Sequence, residues 1–326
     1  MTTKTALLVI VSLTVCGCSA RTLQQGDGAV QPDVLAHETR SFVIRSLSWP
    51  RDAEQAAAYG YDYNGDGVAD NAFGAIVAGL AGVVQGDAGG DGYLVPFGTL
   101  GDERLELDIV RGDNLMLLRL SAPDFSGGYP VAATAWRGQV RGCCDNRTSL
   151  ETCWPQAKTR CFAADAELAV ASAAYPMSGT IEGDKLALQA ERFALTLTLG
   201  TERLAVSLEL RNVRLRGVLR EGAIEAGVLS GLIAPTELRD TLQRAIWKLI
   251  SAYWREHDRA PVFGTTRDQF LDLFDRDKDG DVSFDEYVGN SLLQTFWSGD
   301  LDLDGDKMYE MSLGIGFTAV SVRIRD

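Results

Sequence analysis

The chain has 326 residues, is 46% hydrophobic and carries a net charge of −14, enough apolar content for a large core and more than one domain. That charge argues against general nucleic-acid binding, where affinity rests on neutralising phosphates, and suits cation binding. His37 and His257 are the only histidines, which leaves little room for a His-rich zinc site or a His-based catalytic centre.

At the N-terminus, Lys4 precedes the apolar run Ala6–Val15, which is too short to span a bilayer and reads as a processing segment, residues 1–17. It ends Val15-Cys16-Gly17-Cys18-Ser19. This resembles a bacterial lipobox, and the resemblance implies cleavage before Cys18 and lipidation of that cysteine. Cys18 fits better than Cys16, which follows the bulkier Val15. Ser19 rather than Asp after the cysteine implies a cell-envelope protein anchored in the outer membrane of a two-membrane bacterium. The alternative is an ordinary secretory peptide with incidental cysteines. Residues 18–40 are mixed and polar and read as a tether.

Residues 41–93 read as helical. Arg51–Tyr59 and Ala72–Val84 are helix candidates, and between them lie Asp62, Asn64, Asp66, Gly67 and Asp70. These match positions 1, 3, 5, 6 and 9 of a Ca²⁺ loop, but position 12 is Phe73, so the closing bidentate carboxylate is missing. The half-loop resembles dockerin-like and thrombospondin-repeat-like segments; the alternative is a turn capping a helix.

Residues 94–234 read as an antiparallel β domain. Leu105, Leu107 and Ile109 alternate with charges, and Arg111-Gly112-Asp113-Asn114 turns back into Leu115–Leu120 as a hairpin. An insertion, residues 142–162, carries Cys143, Cys144, Cys153 and Cys161. In an exported chain four cysteines read as two disulfides, with Cys143 and Cys144 each paired to one of the other two. A zinc site is the alternative, though close CxxC pairs are lacking.

Phe193, Leu195, Leu197 and Leu199 then alternate with Thr196 and Thr198, and Leu204, Val206, Leu208 and Leu210 repeat the period. Val213, Leu215 and Val218 continue it. Such alternation gives a sheet with one wet face, a β-sandwich or open barrel. Arg211, Arg214, Arg216 and Arg220 stripe that face. They could meet anionic lipid or acidic polysaccharide; cross-strand pairing with acidic neighbours is the plainer reading.

Residues 235–326 read as a long helix, with Thr236 as N-cap, followed by a metal-binding module. Asp275, Asp277, Asp279, Asp281, Ser283 and Glu286 occupy positions 1, 3, 5, 7, 9 and 12 of a Ca²⁺ loop, with Gly280 at the sharp turn. Phe270, Leu271 and Phe274 give an apolar face before the loop, and Val288, Leu292, Leu293 and Phe296 give one after it. The segment resembles the EF-hand family at every ligand position, which implies Ca²⁺ as cofactor. Asp300, Asp302, Asp304 and Asp306 start a further loop, with Gly305 at its sixth position and Met311 where a closing Glu belongs. The two loops start too close together for two complete units, so the helix Tyr287–Trp297 must serve both.

The expected fold class is therefore α+β, an antiparallel sandwich or open barrel followed by a helical EF-hand module. The expected function is structural calcium binding by an exported, lipid-anchored protein. No GxSxG, HExxH, P-loop or GxGxxG pattern points to an enzyme. The alternatives are a β domain that binds an apolar or glycan ligand and, more remotely, a hydrolase.

Overall fold

The computed structural model describes residues 37–84, 99–112, 114–139, 143–144, 150–199, 204–256, 266–303 and 305–325. The processing segment with Cys18, and nearly all of the tether, lie outside them.

The strands are β1 (Glu38–Ser48), β2 (Leu115–Ala122), β3 (Tyr129–Gln139), β4 (Glu167–Val170), β5 (Tyr175–Glu182), β6 (Lys185–Leu199), β7 (Leu204–Arg220), β8 (Ala223–Ile233), β9 (Met311–Ser321) and β10 (Arg323–Arg325). With β4 and β10 set aside, each strand pairs antiparallel with the next in chain order, β3 passing directly to β5 and β9 returning to β1. The result is a closed eight-stranded barrel, with β4 and β10 added outside β3. Closure removes the exposed edges that a sandwich or an open barrel retains.

The two faces of the wall differ with sequence. On β6 and β7 the expected alternation holds, and Leu186, Leu188, Phe193, Leu195, Val206, Leu208 and Leu210 point into the core. Bulges shift the register near Asn212 and Ala226, both at positive φ, so Leu219 rather than Val218 is buried. Along β2, β8 and β9 both faces are buried. On β8 and β9 the runs are apolar or glycine-rich because helices α1 (Ala53–Tyr59) and α2 (Ala72–Val84) cover them; α3 (Thr99–Arg111) packs against β1 and against α4 (Leu150–Arg160).

The connections are equally one-sided. Two-residue turns at Gly183 and Gly222, both at positive φ, close one end of the barrel. The long connections leave from the other end: residues 49–114 join β1 to β2 and residues 234–310 join β8 to β9. Both carry acidic loops.

Several expectations are corrected. The sheet is neither a sandwich nor open, and no helical module follows it. The EF-hand-like segment is an insertion between two barrel strands, and residues from His37 onward form one compact unit. The supposed hairpin over 105–120 is helix α3 followed by β2. Leu105 and Ile109, four apart, are buried along one helical stripe, which the shorter period-2 reading mistook for a strand. Glu38–Ser48, read partly as tether and partly as helix, is a barrel strand.

The helix after the sheet starts two residues earlier than Thr236 implied, with Ala234 as N-cap and Pro235 at its first position, where a missing N–H costs nothing. It runs as α5 (Pro235–Glu237), a π-helical turn (Leu238–Gln243) and α6 (Arg244–Glu256). The exit helix is broken at Asn290 into α8 (Phe284–Gly289) and α9 (Ser291–Phe296). Its expected apolar face is only partly used, since Leu292 and Phe296 are exposed.

Candidate metal centre

The loop Asp275–Glu286 is held by two short helices and a third wall. α7 (Arg267–Phe274) begins with a capping box between Thr266 and Gln269, and α8 begins with one between Ser283 and Glu286. Phe270, Phe274, Val282, Phe284 and Tyr287 form a small core with Ile250 and Trp254 of α6. The Trp247 indole N–H donates to the Val282 carbonyl at 2.9 Å, inside the loop itself. Asn290 Nδ2 donates to the Leu273 carbonyl at 2.8 Å and ties the exit to the entry.

Within the loop, carboxylates organise backbone amides. Asp275 accepts from the N–H groups of Asp279 (3.2 Å) and Gly280 (2.9 Å). Asp279 accepts from the Asp281 N–H at 2.9 Å. Lys278 and Gly280 take positive φ, 61° and 90°. Glu286 reaches back across the ring, accepting from Arg276 N–H at 2.8 Å with Oε1 and from Ser283 N–H at 2.9 Å with Oε2.

These bonds bring one oxygen each of Asp275, Asp277 and Glu286 within 4.8 Å of one another. Two oxygens on one Ca²⁺ at 2.3–2.6 Å stand at most about 5 Å apart. Among the described residues this convergence of three carboxylates occurs only here. Asp279, Asp281 and Ser283 line the same loop but do not join the triad.

The electrostatics follow from this geometry. The backbone and side-chain donors of Ser283, with the N–H groups of Arg276 and Asp277, hold the Glu286 carboxyl down to about 2. For Asp277 the Asp279 N–H pulls the same way, but desolvation and the charges of Asp279, Glu286 and Asp275 outweigh it and raise that carboxyl. One carboxylate is thus held ionised beside another that resists ionising.

The other two acidic loops are twins. Tyr61 bridges Asp70, and Leu301 bridges Glu310, so each loop is a ten-residue ring closed by an antiparallel bridge. Gly65 and Gly67 have φ of 76° and 87°, and Gly305 and Lys307 have φ of 76° and 64°. Gly65 N–H donates to Asp62 Oδ1 at 2.6 Å, as Gly305 N–H does to Asp302 Oδ1 at 2.9 Å. Val68 N–H donates to Asp66 Oδ1 at 2.8 Å, as Met308 N–H does to Asp306 Oδ1 at 2.6 Å.

This correspondence corrects the register of the last loop by two residues. Gly305 is the fourth position, not the sixth, and Lys307 takes the sixth in a left-handed conformation that non-glycine residues rarely adopt. Asp302, Asp304, Asp306 and Glu310 then fall at positions 1, 3, 5 and 9, although Asp304 lies outside the described residues. Asp300 falls before the first position of this ring, and its carboxylate accepts from the Ser312 N–H at 2.8 Å and the Ser312 hydroxyl at 2.5 Å. The sequence signal that finds this register is the match of Tyr61–Asp70 to Leu301–Glu310.

Asp70 closes the first loop, accepting from the Tyr63 N–H at 2.8 Å. Desolvation, helped by Asp300, Asp66 and Asp62, raises its carboxyl above the ordinary value despite that bond. Phe73, the missing twelfth ligand, is a core residue with no exposure.

The arginine stripe is largely spoken for. Arg220 pairs with Asp184 and Glu225, Arg216 donates to the Ala58 carbonyl, and Arg214 stacks over Tyr61. Thr196, expected on the wet face, is buried because the α3–β2 junction covers it, with Asn114 Nδ2 donating to the Thr196 carbonyl at 2.7 Å. Cys143 joins Cys161 and Cys144 joins Cys153, so each of the adjacent cysteines takes one of the other two and the bridges are nested.

No family model, no curated protein and no solved structure matches the chain. Neither the comparisons nor the barrel points to an enzymatic family.

Proposed function

We propose that this protein binds Ca²⁺ at Asp275–Glu286 in the manner of an EF-hand, and that the ion is structural. The observation that carries the reading is the convergence of Asp275, Asp277 and Glu286 within 4.8 Å, in a ring whose turn residues and caps are already in place. Repulsion among these carboxylates disfavours the compact loop, and a divalent cation relieves it. The twin loops 61–70 and 301–310 are weaker sites, since neither has a carboxylate at position 12. On the exterior of a cell, affinities on the order of 10⁻⁴–10⁻³ M suffice for occupancy.

Isothermal titration of the full chain with Ca²⁺, beside Glu286→Gln, tests this. The tightest binding step is expected in the parent and absent in the variant. Equal heats from both proteins would sink the assignment. The lipobox reading extends the proposal to a lipid-anchored envelope protein. On that reading Cys18→Ser moves the protein from the membrane fraction to the soluble one, and unchanged partitioning removes the anchor.

A further inference from the structure

The twin loops meet the barrel at a single buried junction. Asn71, directly after the first loop, is only 7% exposed. Its Nδ2 donates to the carbonyls of Ala56 (2.9 Å) and Gly314 (3.2 Å), and its Oδ1 accepts from the N–H groups of Gly74 (2.9 Å) and Gly314 (2.8 Å). Ser312, just after the second loop, has no exposure. Its hydroxyl accepts from the Ala72 N–H at 2.8 Å and donates to Asp300 at 2.5 Å. Both contacts fall on the outer face of β9, the strand that pairs with β1 and β8 and so closes the ring.

Every polar atom of the Asn71 side chain is thus satisfied by chain segments on both sides of the junction. Breaking one contact leaves a buried donor or acceptor without a partner, a penalty that keeps the set together. We infer that this clasp makes loop 61–70, loop 301–310 and strand β9 open and close as one unit, so that tightening either loop tightens the other. The coupling is reciprocal, as any linkage between two sites must be. It rests on the calcium reading only for its trigger; the clasp itself is made by protein groups alone.

Hydrogen exchange followed by mass spectrometry separates the two. In EDTA, Asn71→Ala is expected to speed exchange across residues 301–310, which Asn71 does not touch, and Ser312→Ala to speed it across residues 61–70. The expected change is about tenfold. Strand β6 serves as the control: if Asn71→Ala accelerates it as well, the milder Asn71→Ser, which keeps an uncharged acceptor at the helix cap, replaces that variant. Exchange that rises only at residues 71–74 or 312–314 overturns the coupling. Adding Ca²⁺ to the parent is expected to protect both loops together. Protection of one loop alone also overturns the coupling. Protection of neither leaves the EDTA result to decide it and removes calcium as the trigger.

Discussion

Glu286 Oε1 accepts a hydrogen bond from the backbone N–H of Arg276 at 2.8 Å, so the carboxylate that closes the loop already lies over its first turn. The ring is closed by the chain's own hydrogen bonds from the N–H groups of Arg276 and Ser283.

That bond sets an acid limit. Glu286 is held down to about 2 in the folded loop, against an ordinary value of 4.5. A depressed carboxyl contributes stability that is complete above the unfolded value and is lost as pH falls from about 4.5 towards about 2. Trp247, bonded to Val282 within the loop, reports this by fluorescence. An acid titration of the apo protein should be flat down to about pH 4.5 and change below it. A transition centred near neutrality would contradict the assignment.

Because β9 follows the loops and closes the barrel, calcium should stabilise the whole fold. At free Ca²⁺ about 100 times Kd, one site adds about 2.7 kcal/mol. Thermal melts are expected to give one transition that EDTA lowers, and lowers by less in Glu286→Gln. A separate sheet transition indifferent to calcium would show that the insertion and the barrel are uncoupled.

Gly314 is required by close approach rather than by φ. A Cβ there would sit 2.1 Å from the Tyr59 carbonyl oxygen. Gly314→Ala must therefore displace α1 from β9, a destabilisation of about 1–3 kcal/mol. Urea unfolding measures it, and a change under about 0.5 kcal/mol, the range of ordinary surface substitutions, would mean that the helix yields freely.

The cysteine pairs fix another outcome. Non-reducing peptide mapping should recover Cys143–Cys161 and Cys144–Cys153, and alkylation should find none of these four thiols free. Both bridges are buried beside α3, where the sulfurs of Cys144 and Cys153 face the Val110 carbonyl. Replacing Cys143 and Cys161 by Ser should cost about 2–4 kcal/mol by chemical denaturation. An unchanged midpoint would mean that the insertion adds nothing to the fold.

What depends on short-range chemistry is legible along the chain. The carboxylate spacing of Asp275–Glu286, the half-loop at Asp62, the alternation of β6 and β7 and the pairing of each adjacent cysteine with a later one are all set within a few residues, where side-chain type and turn geometry suffice. The tertiary structure decided what depends on distant partners. Strand β9 reads as a glycine-spaced apolar run, and only its pairing with β1 and β8 makes it the closure of a barrel. Asp300 looks like a ligand by spacing; the hydroxyl of Ser312 claims it instead. Leu105 and Ile109 fit two periods over so short a span, and burial against β1 selected the helix. Asn71 shows locally only as a cap for α2, accepting from the Gly74 N–H; its bonds to Gly314, 243 residues away, carry no local signal, and burial makes satisfying them obligatory.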